Sequence, residues 1–389
     1  MNSLAWNTLS ARQFLTDYWQ KKPVLLNQAF PNFTSPLTVD EVAGLALEPE
    51  FESRLIWEKH PEHGSPWALQ QGPFTEAQLQ QLPSSGWSLL VQGVDHWVDA
   101  VAQFRRQFNF IPSWRFEDIM ISLAPPGGSV GPHVDQYDVF LCQVEGERLW
   151  HWSETRKSNL LFREDTALSI LDQPLPEPVC SALLSPGDIL YLPPGYAHHG
   201  VAQSFSQTWS VGFRAPDAEE IMSVCAQRIS LEAESQILRY ADPDLTLAES
   251  EQQAISSESI MRTQHMLSQW IKNPEIIADV LGTLTTRQAN HHEAWPSSPQ
   301  QDPPHLNVQI SWQLGVRKTH FGPRLYVNGA SYFLPKEEMA LVNTLMSLES
   351  LSWGELNQIA QTAQGLELME VLWEQALLAP TESQETSES

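Results

Sequence analysis

Within the stretch GPHVDQYDVF, residues 131–140, a histidine and an aspartate stand two positions apart. In an extended strand residues i and i+2 project from one face, so His133 and Asp135 converge while Val134 faces away. An imidazole and a carboxylate placed this way can take neighbouring vertices of an octahedral metal. A third ligand must come from another strand, and DILYLPPGYAHHGV supplies candidates: an apolar strand, a sharp PPG turn, then His198 and His199, the first of them 63 residues beyond Asp135. Two histidines and one carboxylate on one face of the metal leave the opposite face open. That is the donor set of non-haem Fe(II) oxygenases, whose open positions take a bidentate co-substrate and dioxygen. A closed zinc site would be tetrahedral and built with cysteines. The three cysteines, Cys142, Cys180 and Cys225, are far apart and form no CxxC pair. A metal-dependent cupin isomerase would show a His-x-His pair with a glutamate nearby, which this stretch lacks.

Three further residues bear on the co-substrate. Arg148 follows the Glu145-Gly146 turn at the start of the next strand. An oxygenase that uses 2-oxoglutarate needs a cation for the far carboxylate, and the planar guanidinium fork matches it with two parallel hydrogen bonds. Ser122, on the strand before the glycine-rich turn, and Ser210, in TWSVGF, could add hydroxyls to the same carboxylate. Singly, an arginine in a strand is most often exposed, and a serine there most often bonds to backbone. The metal motif is what gives these three a shared purpose. Tyr137 shares the face of His133 and Asp135 if the pleat stays regular, which makes it a candidate for substrate contact. Asp138 is the second candidate for that contact, although it faces away unless a bulge intervenes.

The elements that must position these residues are short. Ile119–Leu123, Val139–Val144, Arg148–Trp152, Ile189–Leu192 and Thr208–Phe213 read as strands separated by PPGG, SPGD and PPG turns. Many short strands with such turns predict a sandwich or double-sheet barrel. Ser10–Gln20 precedes them as a helix with Phe14, Tyr18 and Trp19 on one side. After Pro216 the pattern changes to helices: DAEEIMSVCAQRISLEAESQILRYA, then Ser257–Lys272, then Pro274–Arg287. The stretch HHEAWPSSPQQDPPHLN reads as a linker. Beyond it RLYVNGASYFL predicts a hairpin turning at Asn328-Gly329, followed by helices over Lys336–Ser347 and Trp353–Ala363. The tail TESQETSES is expected to be disordered.

A chain of 389 residues, 42% of them hydrophobic and 15 of them tryptophan, has ample material for more than one core. No apolar run approaches the ~20 residues of a membrane span. The amino terminus has no basic segment followed by an apolar stretch, so no secretion signal is read there. With few, scattered cysteines, a cytoplasmic location is the expectation. The net charge of −25 disfavours direct nucleic-acid binding. It suits either solubility or a basic partner.

GPHVDQYDVFLCQVEGERLWHW, SPGDILYLPPGYAHHG and WSVGFRAP resemble the bacterial JmjC-type (cupin-fold) ribosomal oxygenases, and FLTDYWQKKPVLLNQAF is similar to that family's amino-terminal segment. The resemblance covers residues 1 to about 220. It implies an α+β fold: a double-stranded β-helix (jelly-roll) catalytic domain over 1–215, a helical dimerisation domain over 216–295, a winged-helix-like domain over 305–380, and a tail at 381–389. It implies His133, Asp135 and His198 as iron ligands, selecting His198 over His199, and Arg148 as the 2-oxoglutarate arginine. It further implies Fe(II) as cofactor, with 2-oxoglutarate and dioxygen as co-substrates. The implied reaction is hydroxylation at the β-carbon of an arginine in large-subunit ribosomal protein sixteen, by a homodimer.

Two other readings stand beside it. A histidyl or lysyl hydroxylase or demethylase would carry the same catalytic residues. A non-catalytic binding module would use the carboxy-terminal domain, but the intact triad with Arg148 and the lack of a basic face there count against it.

Overall fold

The structure, a computed structural model, describes residues 9–58, 67–231, 239–247, 254–287 and 302–381. The chain forms two compact units that meet in sequence at Ala215/Pro216.

The first unit holds strands β1 (Val24–Leu26), β2 (Ser53–Glu58), β3 (Trp67–Gln71), β4 (Trp87–Val91), β5 (Phe116–Ala124), β6 (His133–Val134), β7 (Asp138–Glu145), β8 (Arg148–Ser153), β9 (Val179–Leu184), β10 (Ile189–Leu192), β11 (Ala197–Ala202) and β12 (Ser206–Phe213), with helices α1 (Ala11–Asp17), α2 (Val39–Leu45), α3 (Glu76–Gln80) and α4 (Asp99–Phe104). Eight strands make an antiparallel major sheet in the order β1-β10-β7-β12-β5-β4-β2-β3, and four make a minor sheet in the order β6-β11-β8-β9. The five strands expected from sequence are β5, β7, β8, β10 and β12. The strand read through His133 is β6, which stops at Val134; the remaining strands of this unit were not anticipated.

The major sheet is buried on both sides, which its alternation makes possible. On β5, Ile119, Ile121 and Leu123 enter one core, as do Trp209, Val211 and Phe213 of β12 and Phe140 and Cys142 of β7. That layer is aromatic: Phe108 and Phe140 rings lie 4.9 Å apart, Phe104 and Trp209 5.1 Å, and Phe14 and Tyr191 4.8 Å. Offset and tilted pairs at such spacing add to the burial itself. The intervening residues Met120, Ser122 and Ser210 point the other way and line a cavity. α1 closes over the aromatic layer. Ser10 caps it, its Oγ accepting from Gln13 N while Gln13 Oε1 accepts from Ser10 N. Phe14 is fully buried. The helix stops at Asp17, shorter than the expected Ser10–Gln20, and Gln20 takes a left-handed turn with φ 57°.

The second unit holds α5 (Ala218–Leu231), α6 (Ser257–Ile271), α7 (Pro274–Thr286), β13 (Gln309–Trp312), β14 (Lys318–Phe321), β15 (Arg324–Val327), β16 (Ala330–Phe333), α8 (Met339–Met346), β17 (Leu351–Ser352), α9 (Trp353–Ile359), α10 (Ala363–Glu374) and β18 (Leu378–Pro380). The expected hairpin is β15–β16, with Asn328 and Gly329 both at positive φ in the turn. α10 was not anticipated. The pattern read as ending at Ala363 breaks at Ala360, which is extended, and restarts where Thr362 Oγ1 accepts from Gly365 N. Buried Glu338 accepts from Gln361 N and Thr362 N at 2.9 and 2.6 Å, which holds that break in place. Most of the proposed linker and all but Thr381 of the tail lie outside the described residues.

Helix α7 packs on the three-stranded β14–β15–β16 sheet through one carboxylate. Asp279 accepts from Tyr326 Oη at 2.6 Å, from Arg324 at 3.2 Å and from Arg228 of α5 at 3.0 Å. Gly282 lets the Tyr326 ring lie against the helix, because a Cβ there would sit 2.4 Å from the ring. Gly282→Ala should therefore destabilise this unit by about 1–3 kcal/mol through overpacking. Urea unfolding with unchanged secondary structure content would measure it, and an unaltered midpoint would contradict the packing.

Candidate metal centre

Strand register decides which histidine joins His133. β11 pairs antiparallel with β6, with His198 directly opposite His133 and Ala197 opposite Val134. Directly opposite residues share a face, with Cβ atoms roughly 5 Å apart. The two imidazole centroids are 4.2 Å apart. His199, next along β11, projects to the other side, where its Nε2 meets Ser129 Oγ at 3.0 Å.

Asp135 reaches the same point by a different route from the one expected. Strand β6 ends at Val134, and Asp135 stands between it and a bend at 136–137 that leads into β7. The Asp135 carbonyl accepts from Gly195 N at 2.8 Å, so the PPG turn ahead of β11 holds Asp135 beside the histidines. Asp135 Oδ2 lies 3.5 Å from His198 Nε2 and 3.8 Å from His133 Nε2. One ligand atom from each of the three falls within 4.8 Å of the others. Neighbouring vertices of an octahedron with ~2.1 Å bonds lie roughly 3 Å apart, so a small inward shift completes the site.

The backbone presets both imidazoles. His133 Nδ1 donates to Gly131 O and His198 Nδ1 to Tyr196 O, each at 2.9 Å. A proton held on Nδ1 leaves the Nε2 lone pair for a metal. His198 is 1% exposed. Burial first, and His133 second, depress its pKa to about 4, so it is a neutral ligand at physiological pH.

The triad opens into a cavity of about 590 Å³ between the two sheets. Arg148 lies in its wall, 4% exposed, its pKa lowered to about 10 by burial. Its Nη1 donates to Ser122 Oγ at 3.4 Å, and its ring neighbour is Trp150 at 5.8 Å. Its Nε and Nη2 are buried with no hydrogen-bond partner. A buried cation with idle donors is costly unless an anion completes it. Ser122 and Ser210 line the same cavity from the opposite sheet, so the three residues proposed for a carboxylate converge as expected. The donor set and this orphaned guanidinium fit Fe(II) with 2-oxoglutarate.

Tyr137 and Asp138 separate. Tyr137 lines the cavity and is exposed at its rim, its hydroxyl kept protonated chiefly by the Asp135 carboxylate. Asp138, by contrast, does not reach the cavity. At the start of β7 it shares the face of Phe140 and Cys142, the aromatic side, where it is 0% exposed and accepts from Tyr191 Oη, Gln20 Nε2 and Arg115 Nη2 at 2.6, 2.9 and 3.0 Å. It fastens the segment after α1 to the barrel. The expectation of Asp138 at the substrate is corrected accordingly.

Sequence reasoning missed the contribution of β2–β4 and of Met120 on β5. Glu52, Arg54, Ile56, Leu69, Leu90 and Met120 also wall the cavity. Arg54 donates to Gln92 Oε1 at 2.9 Å, and Gln92 Nε2 donates to Asp118 Oδ2 at 2.6 Å. The short apolar run Leu55–Trp57 in SRLIWE was the available signal for β2. Asp118 is buried beside Asp95, and burial first, then that neighbour, push its pKa up to about 6.

Residues 103–221 match the family model described as the JmjC domain. The chain is 36% identical over 334 residues, 83% of its length and 85% of the relative's, to the ribosomal protein uL16 3-hydroxylase of Escherichia coli K12. It is 34% identical to a probable ribosomal oxygenase of Haemophilus influenzae over 64% of this chain and 58% of that one. The crystal structure of E. coli YcfD superposes with a TM-score of 0.82 at 31% identity, covering 96% of this chain and 98% of that one. The complex of YcfD with cobalt and 2-oxoglutarate gives 0.78 at 30% identity and the same coverage.

Two outcomes follow from the geometry. In a cobalt(II) titration followed by visible absorption, His198→Gln should weaken binding by at least about tenfold, whereas His199→Gln should leave it unchanged. Asp118 binds its proton more tightly folded than unfolded, so its ionisation costs stability as pH rises from about 4 through 6. Asp118→Asn should then stabilise the protein at pH 8, by up to roughly 3 kcal/mol at ~1.4 kcal/mol per pH unit, and the gain should vanish near pH 4. Thermal melts across that range would measure it.

Proposed function

The chain belongs to the JmjC-domain ribosomal oxygenases, and from that premise we propose that it hydroxylates the β-carbon of an arginine in the ribosomal protein uL16, as an Fe(II)- and 2-oxoglutarate-dependent dioxygenase. The observation that carries the reading is the pairing of a two-histidine, one-carboxylate face with the idle donors of Arg148 across one cavity.

In this reading His133, Asp135 and His198 hold iron, and Arg148 takes the distal carboxylate of 2-oxoglutarate, with Ser122 and Ser210 beside it. When bound, the metal supplies the redox chemistry that turns 2-oxoglutarate and dioxygen into succinate, carbon dioxide and one oxygen atom delivered to the target carbon. The protein's share is positioning and exclusion of water. Gly131 O and Tyr196 O fix both imidazoles. The apolar residues Leu141, Val139 and Trp150 keep the inner cavity dry. Tyr137 at the rim offers a protonated hydroxyl and a ring face to a guanidinium, by hydrogen bonding and cation–π attraction. The net charge of −25 would speed encounter with a basic ribosomal protein.

The remaining expectations belong to the same proposal. The helical region is proposed as a homodimer contact, supported by Ile260, Leu267 and Ile271 exposed on one side of α6. The winged-helix-like reading of 305–380 is supported by hairpin β15–β16 beside α8–α10. A cytoplasmic location is proposed with it; no described helix is long and apolar enough to cross a membrane.

The test is direct. Incubated with Fe(II), 2-oxoglutarate and uL16, the protein should add one oxygen to an arginine, as read by tandem mass spectrometry. Oxygen on a histidine or lysine instead would shift the substrate reading, and no oxygen on any residue with 2-oxoglutarate still consumed would overturn it. Arg148→Met should raise the 2-oxoglutarate requirement about 10–100-fold, the loss expected for ~1.5–3 kcal/mol of charge-assisted hydrogen bonding. His133→Ala should abolish turnover.

A further inference from the structure

Between β8 and β9 the chain leaves the minor sheet after Ser153 and returns at Val179. Part of this excursion is a short hairpin. Phe162 pairs with Leu171 in an antiparallel bridge. Arg163 N donates to Ile170 O and Asp172 N to Leu161 O, both at 2.8 Å. The hairpin is tied to the metal motif itself, since Leu171 N donates to Pro132 O, one residue before His133, at 2.8 Å.

Its two sides differ. Ala167, Leu168, Ser169 and Ile170 wall the cavity. Ile170 is 2% exposed and clusters with Ile56, Trp67 and Leu90 of β2, β3 and β4, so the hairpin reaches from the metal motif to the edge of the major sheet. On the outside, Leu161 and Phe162 are 64% and 44% exposed. Adjacent exposed apolar residues, here on the outer side of a cavity wall, mark a contact surface more often than isolated ones do. The acidic residues around them, Glu164, Asp165 and Asp172, outnumber Arg163, which suits a basic polypeptide.

Arg163 holds the hairpin's shape. Its Nε and Nη2 donate to both carboxylate oxygens of Asp165 at 2.9 and 2.6 Å, and its Nη1 donates to Asp172 Oδ1 at 3.2 Å. Isolated surface ion pairs contribute little, but a bidentate arginine joined to a second carboxylate fixes geometry.

We propose that the 161–172 hairpin is the cavity wall on which the polypeptide substrate seats, with Leu161 and Phe162 as its contacts and Arg163 as the positioning residue. This rests on the polypeptide-substrate reading given above. Two measurements on the full chain separate the claims. Chymotrypsin should cut at Leu161, Phe162 or Leu168 at least about tenfold faster in Asp165→Asn/Asp172→Asn than in the wild type; equal rates overturn the positioning role of Arg163. With uL16 as the probe, Leu161→Ser/Phe162→Ser should raise KM at least about fivefold while kcat and the uL16-independent consumption of 2-oxoglutarate stay unchanged. An unchanged KM overturns the contact. A wild-type enzyme that consumes 2-oxoglutarate but leaves uL16 unmodified counts against that substrate. Whole ribosomal proteins then replace uL16 as probe, and oxidation that is equally fast in the double serine variant overturns the hairpin's role.

Discussion

Everything at the site depends on one strand pairing, the placement of His198 opposite His133 between β11 and β6. A slip of one residue would turn His199 inward and send His198 to the Ser129 side, because side chains alternate along a strand. Neither histidine is held by this pairing alone. Carbonyls of Gly131 and Tyr196 orient the rings, and Gly195 N draws in the Asp135 backbone. The metal face is thus fixed largely by main-chain hydrogen bonds, which resist rearrangement better than long side chains do.

The second constraint is the two-sided burial of the major sheet. One face is committed to an aromatic layer, built around Phe14, Phe108, Phe140 and Trp209. That layer leaves the other face free to carry the small polar residues Ser122 and Ser210. They oppose Arg148 across the gap between the sheets, and the gap is where its Nε and Nη2 remain unsatisfied. The stability of the first unit comes from the layer the reaction never touches, so the cavity can afford a buried cation with idle donors. Asp138 belongs to the stabilising side: by accepting from Gln20, Tyr191 and Arg115 it fastens the amino-terminal segment over the barrel.

Asp279 performs the same kind of fastening in the second unit, where one carboxylate gathers Tyr326, Arg324 and Arg228. It joins α5 and α7 to the β14–β16 sheet, so helices and hairpin from either side of the proline-rich stretch pack within one unit. Both carboxylates show how a strongly acidic chain uses a few of its acids internally, where several donors converge on each.

The sequence by itself determined the chemistry: the His-x-Asp pair, the apolar strand and turn before His198 and His199, and Arg148 after a tight turn are local patterns whose periods can be read directly. It also determined the short strands bounded by glycine and proline turns and the Asn328-Gly329 hairpin, because those signals lie within a few residues of one another. Only the tertiary structure decided which of two adjacent histidines faces the metal, since register between β6 and β11 is a pairing of residues 65 positions apart. It alone gave Asp138 its partners and so moved it from substrate to scaffold, because Tyr191, Gln20 and Arg115, which converge on it, come from distant parts of the chain. It also brought β2–β4 and the 161–172 hairpin to the cavity, walls whose residues stand in no recognisable motif and gain a role only from what folds beside them.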